Sequence, residues 1–275
     1  MRLLVTGAGG MLGRDVAAAA RAAGHDVSAL ARADLDVTDR QAVLRAVESA
    51  RPEALINCAA WTDVDGAEDH EAQATAVNGG GPANLAAAGV PVVHVSTDYV
   101  FDGRDPAGSA EDAPAGPLSA YGRSKLAGER ALEGHAIVRS SWLFGVGGRN
   151  FVDTMLRLGA QRDEVTVVDD QVGSPTFTGH LGRALVEVAE RRLTGVLHVA
   201  GAGACSWYDL AVTAFEIAGV ECRVSRGRTA DLGRPAPRPA CSVLRSTRAD
   251  APTLPDWHEG LHAYLAARDR EVIPS

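Results

Sequence analysis

The sequence predicts an α/β fold, a doubly wound, Rossmann-like parallel sheet with a smaller C-terminal substrate lobe. Three observations predict it. Short β-branched runs alternate with longer alanine-rich stretches through the first two-thirds of the chain. The short runs are apolar almost throughout, as expected of strands covered on both faces. A glycine-rich turn follows the first run and opens a helical pattern.

The strands are expected at Arg2–Thr6, Asp26–Leu30, Ala54–Asn57, Val92–Thr97 and Ala136–Ser140, with later ones at Glu164–Val168 and Val196–Val199. Helices are expected at Met11–Ala23, Arg40–Ala50, Ala67–Ala88, Ser119–Leu132 and Ser206–Ala218. Strand, helix and strand at this rhythm mean parallel pairing through right-handed crossovers. After Trp142 the rhythm loosens, and a proline-rich stretch, Gly233–Ala240, interrupts the pattern. The expected division is a dinucleotide-binding domain over 1–145 and a mainly substrate-binding lobe over 146–275, with later segments returning to the first domain.

A chain of 275 residues, 46% of them hydrophobic, buries a large core. A net charge of −8 argues against a nucleic-acid-binding surface. Four cysteines, Cys58, Cys205, Cys222 and Cys241, form no CxxC pair and have no metal-ligand spacing with histidine, so they read as reduced thiols. No apolar run approaches a membrane span, and MRLLVTG reads as a strand rather than a signal peptide, so a cytoplasmic chain without a membrane partner is expected.

Gly7, Gly10 and Gly13 have the GxxGxxG spacing of a dinucleotide turn, with Met11 and Leu12 starting the helix. Gly7 permits the tight turn, Gly10 lets backbone approach a pyrophosphate, and Gly13 packs helix on strand. The helix N-terminus then offers free N–H groups to the phosphates. Strand 2 ends Ala29-Leu30-Ala31-Arg32 without the acid that usually holds an NAD ribose. Arg32 either meets a 2′-phosphate or is a surface arginine, so the dinucleotide is NADPH or NADH. Asp36, followed by Val37, either accepts from the adenine amino group or helps start the next helix. Ala59, Ala60 and Trp61 follow the third strand, where small residues let backbone run beside the cofactor.

Tyr121 and Lys125 are four apart, on one helical face. Reduction of a ketone by hydride leaves an alkoxide that needs a proton. A lysine beside the phenol lowers its pKa and makes it a better acid. Ser96 or Thr97, ending strand 4, is placed to hold the carbonyl oxygen. Tyr-x-x-x-Lys alone is a weak signal, and the glycine turn and the Ser-Thr strand end give it its weight.

With these motifs stand LDVTD, NCAAWTDVDGAE, VSTDYVFDG, YGRSKLAGE, VRSSWLFG, NFVDTML, DDQVGSPT and RPAPRPACSVL. Together with GAGGMLG they resemble an extended short-chain dehydrogenase/reductase, and within that class the dTDP-4-dehydrorhamnose reductase family, over nearly the whole chain. The resemblance implies reduction of the 4-keto group of a dTDP-4-keto-6-deoxy-L-sugar, dTDP-4-dehydrorhamnose giving dTDP-L-rhamnose. It implies Thr97, Tyr121 and Lys125 as the catalytic set, and Mg²⁺ as an accessory ion. Cys241 and Trp61 depart from the residues usual at those places. Related dehydratases carry Asp-Glu after the threonine, whereas here Asp98-Tyr99 follows, which weakens dehydration. An epimerase would keep the same Tyr and Lys. A reductase for another nucleotide deoxysugar and a non-catalytic dinucleotide-binding subunit remain the other readings.

The nucleotide sugar is expected at the carboxyl edge of the sheet, against Thr97, Asp98, Phe101, Trp142 and Asn150. Arg234 and Arg238 flank the proline-rich loop, where a bidentate guanidinium suits a pyrophosphate. Trp142 lines the sugar or fills the seam between the lobes. Asp15 and Glu187 would ligate a metal only with carboxylates from a partner subunit, so no metal site is expected within the chain. His94 and His198 read as core or hydrogen-bonded histidines, and Asn78 either bonds a bulged backbone, positions a cofactor-side water or marks a local helix kink beside Gly79-Gly80-Gly81. The chain is expected to act as a monomer or a homodimer.

Overall fold

The computed structural model describes residues 1–272. The strand β1 (Arg2–Thr6) runs into the glycine turn and α1 (Met11–Ala22), and β2 (Asp26–Leu30) and α2 (Arg40–Ala50) complete the first unit. Asp39 caps α2 by accepting from the N–H groups of Gln41 and Ala42, which ends the open stretch after β2. Next come β3 (Ala54–Asn57), α3 (Gly66–Asp69), α4 (Glu71–Thr75) and α5 (Gly81–Ala86).

The single helix expected over Ala67–Ala88 is therefore broken. His70 leaves helical geometry, and Ala76–Gly80 form a π turn. The break has a local cause. Asn78 is fully buried, accepts from the Trp61 N–H at 2.8 Å and donates to the Trp61 carbonyl at 3.1 Å and to Ser124 Oγ at 2.9 Å. One amide thus joins the loop after β3 to the helix carrying the Tyr-Lys pair, and the widened turn brings it there.

The chain continues through β4 (Val92–Thr97), α6 (Ala120–Arg130) and β5 (Ala136–Ser140), then β6 (Leu143–Phe144) and α7 (Phe151–Gly159). After these come β7 (Glu164–Val168), β8 (Val172–Gly173), β9 (Thr176–Phe177), α8 (Thr178–Glu190) and β10 (Gly195–His198). The last elements are β11 (Cys205–Ser206), α9 (Trp207–Ala218), β12 (Arg223–Gly227) and α10 (Trp257–Val272).

Six parallel strands make the central sheet, in the order β10-β5-β4-β3-β1-β2. The order reverses between β1 and β3, the switch point at which such sheets bind ligands beyond their carboxyl ends. One face is sealed by α1 and α8 around Leu3, Val5, Val16, Ile56, Leu181 and Leu185. The other is sealed around Leu4, Val43, Leu55, Leu85 and Leu132. The strand Glu164–Val168 does not join this sheet. It pairs in parallel with β12, and α7, α9 and α10 pack a second core around it with Phe144, Leu156, Phe215, Trp257 and Tyr264. Meanwhile α8 and β10 return to the main sheet from within the second half of the chain.

Candidate active site

At the switch point the backbone leaves no room for side chains. Gly7 has φ +68°, and a Cβ there would lie 2.6 Å from the Ala59 nitrogen and the Cys58 carbonyl carbon. A Cβ on Gly13 would overlap the Gly7 carbonyl and come within 2.8 Å of the Ala8 Cα. Gly10 occupies the N-cap of α1, with no side-chain hydrogen bond and no acidic residue over the first turn. An uncapped helix N-terminus behind a glycine cradle fits a dinucleotide pyrophosphate. The side chain of Leu12 points into the core, and Met11 lies against Gly145 and Gly148, so these two serve the turn through their backbone.

The neighbouring expected residues divide. Ala59 and Ala60 are half-buried beside the turn, and Arg32 is exposed at the end of β2. Asp36 is exposed but accepts from both the N–H and the hydroxyl of Thr38, and these two bonds hold its carboxyl below the usual range. Val37 is core, pressed against Gly81. Trp61 is held by Asn78 through its backbone and donates its indole N–H to the Asp63 carbonyl at 2.9 Å.

The reacting groups converge at the carboxyl ends of β4 and β5. Ser119 caps α6 by accepting from the Gly122 N–H at 3.1 Å. Gly122 is small because a Cβ would overlap the Tyr99 carbonyl. This close approach sets Tyr121 beside the strand end. Its hydroxyl lies within hydrogen-bond reach of Thr97, and its ring packs edge-on to Tyr99 at 5.8 Å. Burial pushes the Tyr121 phenol up to about 12, against the Thr97 hydrogen bond, with the Asp98 charge adding to the rise. Lys125 is 2% exposed, and its Nζ donates to the Val95 carbonyl at 2.7 Å. Burial brings its ammonium down to about 8, opposed by Glu129 and Cys58. The expectation that this lysine acidifies the phenol is corrected here. Lys125 turns to strand β4, and Tyr121 keeps its proton well above neutral pH.

Asp98 is buried behind Thr97, whose hydroxyl donates to its Oδ1 at 2.9 Å. Ser141 donates to its Oδ2 at 3.0 Å, and Ser242 also reaches it. Burial pushes its carboxyl up to about 6 despite these bonds. Ser141 and Ser242 escaped the sequence reading because nothing in their spacing links them to Asp98.

Phe101 does not line the cleft. Its ring is 3% exposed, lies edge-on to His198 at 5.7 Å and carries the Arg139 guanidinium 4.9 Å from its centroid. Asn150 is likewise spent, because it caps α7 and donates to the Gly145 carbonyl and to the Tyr264 hydroxyl. Trp142 has φ +47° and stacks flat on Trp207 with centroids 3.5 Å apart, which fills the seam next to the second core. A left-handed tryptophan is strained, and the stacking holds it there.

Arg234 and Arg238 do not stand free. Both donate to Asp65, at 3.0 Å and 2.9 Å, and tie the proline-rich loop to the loop after β3. Hydrogen bonds from Arg238 and Arg234, against partial burial, bring the Asp65 carboxyl down to about 2. Two guanidiniums share one carboxylate, so the pair keeps an excess positive charge. Asp65 was visible only as part of the DVDGAE motif.

Among the described residues no group of three or more His, Cys, Asp or Glu side chains is arranged to hold a metal ion, and Glu187 is paired with Arg191 at 2.6 Å. The donor set does not fit Mg²⁺. No described helix is long and apolar enough to cross a membrane.

A glycine-cradled switch point beside a Thr-Tyr-Lys set defines an NAD(P)-dependent oxidoreductase of the short-chain type. The chain belongs to the family described as the RmlD substrate binding domain, whose model matches residues 1–270. A dTDP-4-dehydrorhamnose reductase of Mycolicibacterium smegmatis is 45% identical over 281 residues, 97% of this chain and 85% of its own length. A dTDP-4-keto-6-deoxy-D-glucose reductase of Streptomyces niveus is 45% identical over 248 residues, 87% of this chain and 83% of its own. The crystal structure of a dTDP-4-dehydrorhamnose reductase from Bacillus anthracis in complex with NADP superposes with a TM-score of 0.93 at 36% identity, covering 97% of this chain and 99% of that one.

Proposed function

We propose that this chain reduces the 4-keto group of a dTDP-4-keto-6-deoxy-L-sugar, giving dTDP-L-rhamnose from dTDP-4-dehydrorhamnose, with NADPH or NADH. The observation that carries the reading is the meeting of Thr97, Tyr121 and Asp98 at the strand ends beside the Gly7 turn. Gly7, Gly10 and Gly13 would hold the pyrophosphate, Ala59 and Ala60 the adjoining ribose side, and Arg32 a 2′-phosphate. When bound, the nicotinamide supplies the hydride. Tyr121 stays protonated at neutral pH, so its hydroxyl holds the proton that the new alcohol oxygen needs. Thr97 sits beside that phenol, its own hydroxyl proton turned to Asp98. Trp142 bounds the cleft on the side of the second core. Arg234 and Arg238, sharing Asp65, supply the surplus positive charge that an anionic nucleotide sugar needs in an acidic chain.

A second substrate is favoured by one specific finding. The Streptomyces niveus relative, named for the D-glucose-derived ketone, matches at the same identity as the rhamnose enzyme. Supplying dTDP-4-dehydrorhamnose and dTDP-4-keto-6-deoxy-D-glucose separately, and following NADPH absorbance, separates the two. Oxidation with the first alone supports the main reading, and oxidation with the second alone replaces it. No oxidation with either, with NADPH or NADH, refutes both.

A further inference from the structure

Lys125 does not end at the Val95 carbonyl. Its Nζ also lies 3.2 Å from His94 Nε2, and His94 is completely buried. Behind the imidazole, Asn57 Nδ2 lies 2.9 Å from His94 Nδ1. The orientation of Asn57 is fixed from its far side. Its Oδ1 accepts from the Thr6 hydroxyl at 2.7 Å and from the Ala59 N–H at 3.0 Å. Only an oxygen can take both, so the amide NH₂ faces the imidazole. Nδ1 must then be the acceptor, and the proton of neutral His94 sits on Nε2, aimed at Lys125. Burial holds His94 well below its ordinary range, so the imidazole is neutral.

An Nε2–H facing Lys125 can be satisfied only by the lone pair of a free amine. An ammonium has none, and would set N–H against N–H. The free amine satisfies both contacts, accepting from His94 and donating to the Val95 carbonyl. The other titratable groups facing Lys125 do not replace this. Burial keeps the Cys58 thiol protonated, its pKa raised to about 12. Glu129, one turn along α6, takes the Arg139 guanidinium through both its oxygens and the Ser96 hydroxyl at 2.5 Å.

We propose that His94 is a positioning residue that lets Lys125 give up its proton at mildly alkaline pH in the cofactor-free chain, so that in that range seating the dinucleotide draws one proton from solvent onto Lys125. A dinucleotide ribose hydroxyl would offer the ammonium an acceptor besides the Val95 carbonyl, and the lysine leaves His94 as it takes up the proton. The uptake step rests on the dinucleotide reading above. The tautomer does not.

Nitrogen NMR of the full chain labelled at histidine, without cofactor, reads the tautomer directly. His94 is expected with Nε2 protonated and Nδ1 unprotonated, and a proton on Nδ1 overturns the proposal. NADPH is then added in weakly buffered solution with a pH indicator. Uptake approaching about one proton per site is expected near pH 9, and close to none near pH 7. Binding near pH 9 without uptake overturns the coupling, whereas no binding at all strikes the dinucleotide reading and leaves the tautomer to the NMR result. In Asn57→Asp the new carboxylate keeps the Thr6 and Ala59 bonds and takes a proton donor from Nδ1. The lone pair of Nε2 then meets the ammonium, and the uptake near pH 9 should fall below about half a proton. His94→Leu, which removes the facing N–H, should lower it in the same direction. If both variants weaken NADPH binding equally at the two pH values and leave the uptake unchanged, His94 is merely structural and the proposal fails.

Discussion

Replacing Asp98 by Asn tests the electrostatics of the site most directly. The Asp98 carboxyl is raised from the ordinary 3.8 to about 6 by burial, in spite of hydrogen bonds from Ser242, Thr97 and Ser141. The folded chain therefore binds a proton between those two values that the unfolded chain has released. Stability falls as pH rises through that window, and the cost is fully present above about pH 6. A rise of about two pH units is worth about 3 kcal/mol at ~1.4 kcal/mol per unit. Asn cannot ionise, and its amide can accept from Thr97 while donating to a serine hydroxyl. Urea unfolding of both proteins should show the variant gaining about 2–3 kcal/mol on wild type between pH 4 and pH 7.5. Taking the difference between the two proteins cancels every other group that titrates. A gap between them that is the same at both pH values would refute the buried-charge account of Asp98.

Tyr121→Phe should lose roughly 10²–10⁴-fold in turnover while NADPH binding, followed by fluorescence, is kept. An unchanged rate removes the tyrosine from the proton transfer. Gly13→Ala forces a Cβ onto the Gly7 carbonyl and should cost about 1–3 kcal/mol of unfolding free energy together with most cofactor affinity. Arg139→Met leaves the buried Glu129 carboxylate without its guanidinium partner, the two lying 2.7 Å apart in the intact chain, and should destabilise by about 3–5 kcal/mol in denaturant unfolding. In Arg32→Ala the ratio of kcat/KM for NADPH over NADH should fall about tenfold, and an unchanged ratio discounts any 2′-phosphate contact.

The sheet, the glycine turn and the Tyr-Lys helix are legible along the chain, because each is written in neighbours. Apolar runs of strand length, glycines three apart and a pair four apart need no distant partner to be read. Residues 67–88 show where this stops. Their alanine-rich pattern reads as one helix, and what breaks it is Asn78 reaching Trp61 and Ser124, a contact 46 residues away along the chain. The same holds for the arginines of the proline-rich loop. Their charge is plain in the sequence, but that Asp65 shares it, 169 and 173 residues earlier, is a fact of the folded chain. Phe101, following a strand end, and Asn150, opening a helix, read as cleft residues, and only packing shows that the ring of one and the amide of the other are already taken. The Tyr121–Lys125 pair was thus legible from its spacing together with the glycine turn and the Ser-Thr strand end. How far the phenol is shifted up and the lysine ammonium down follows from burial, which only the folded chain sets.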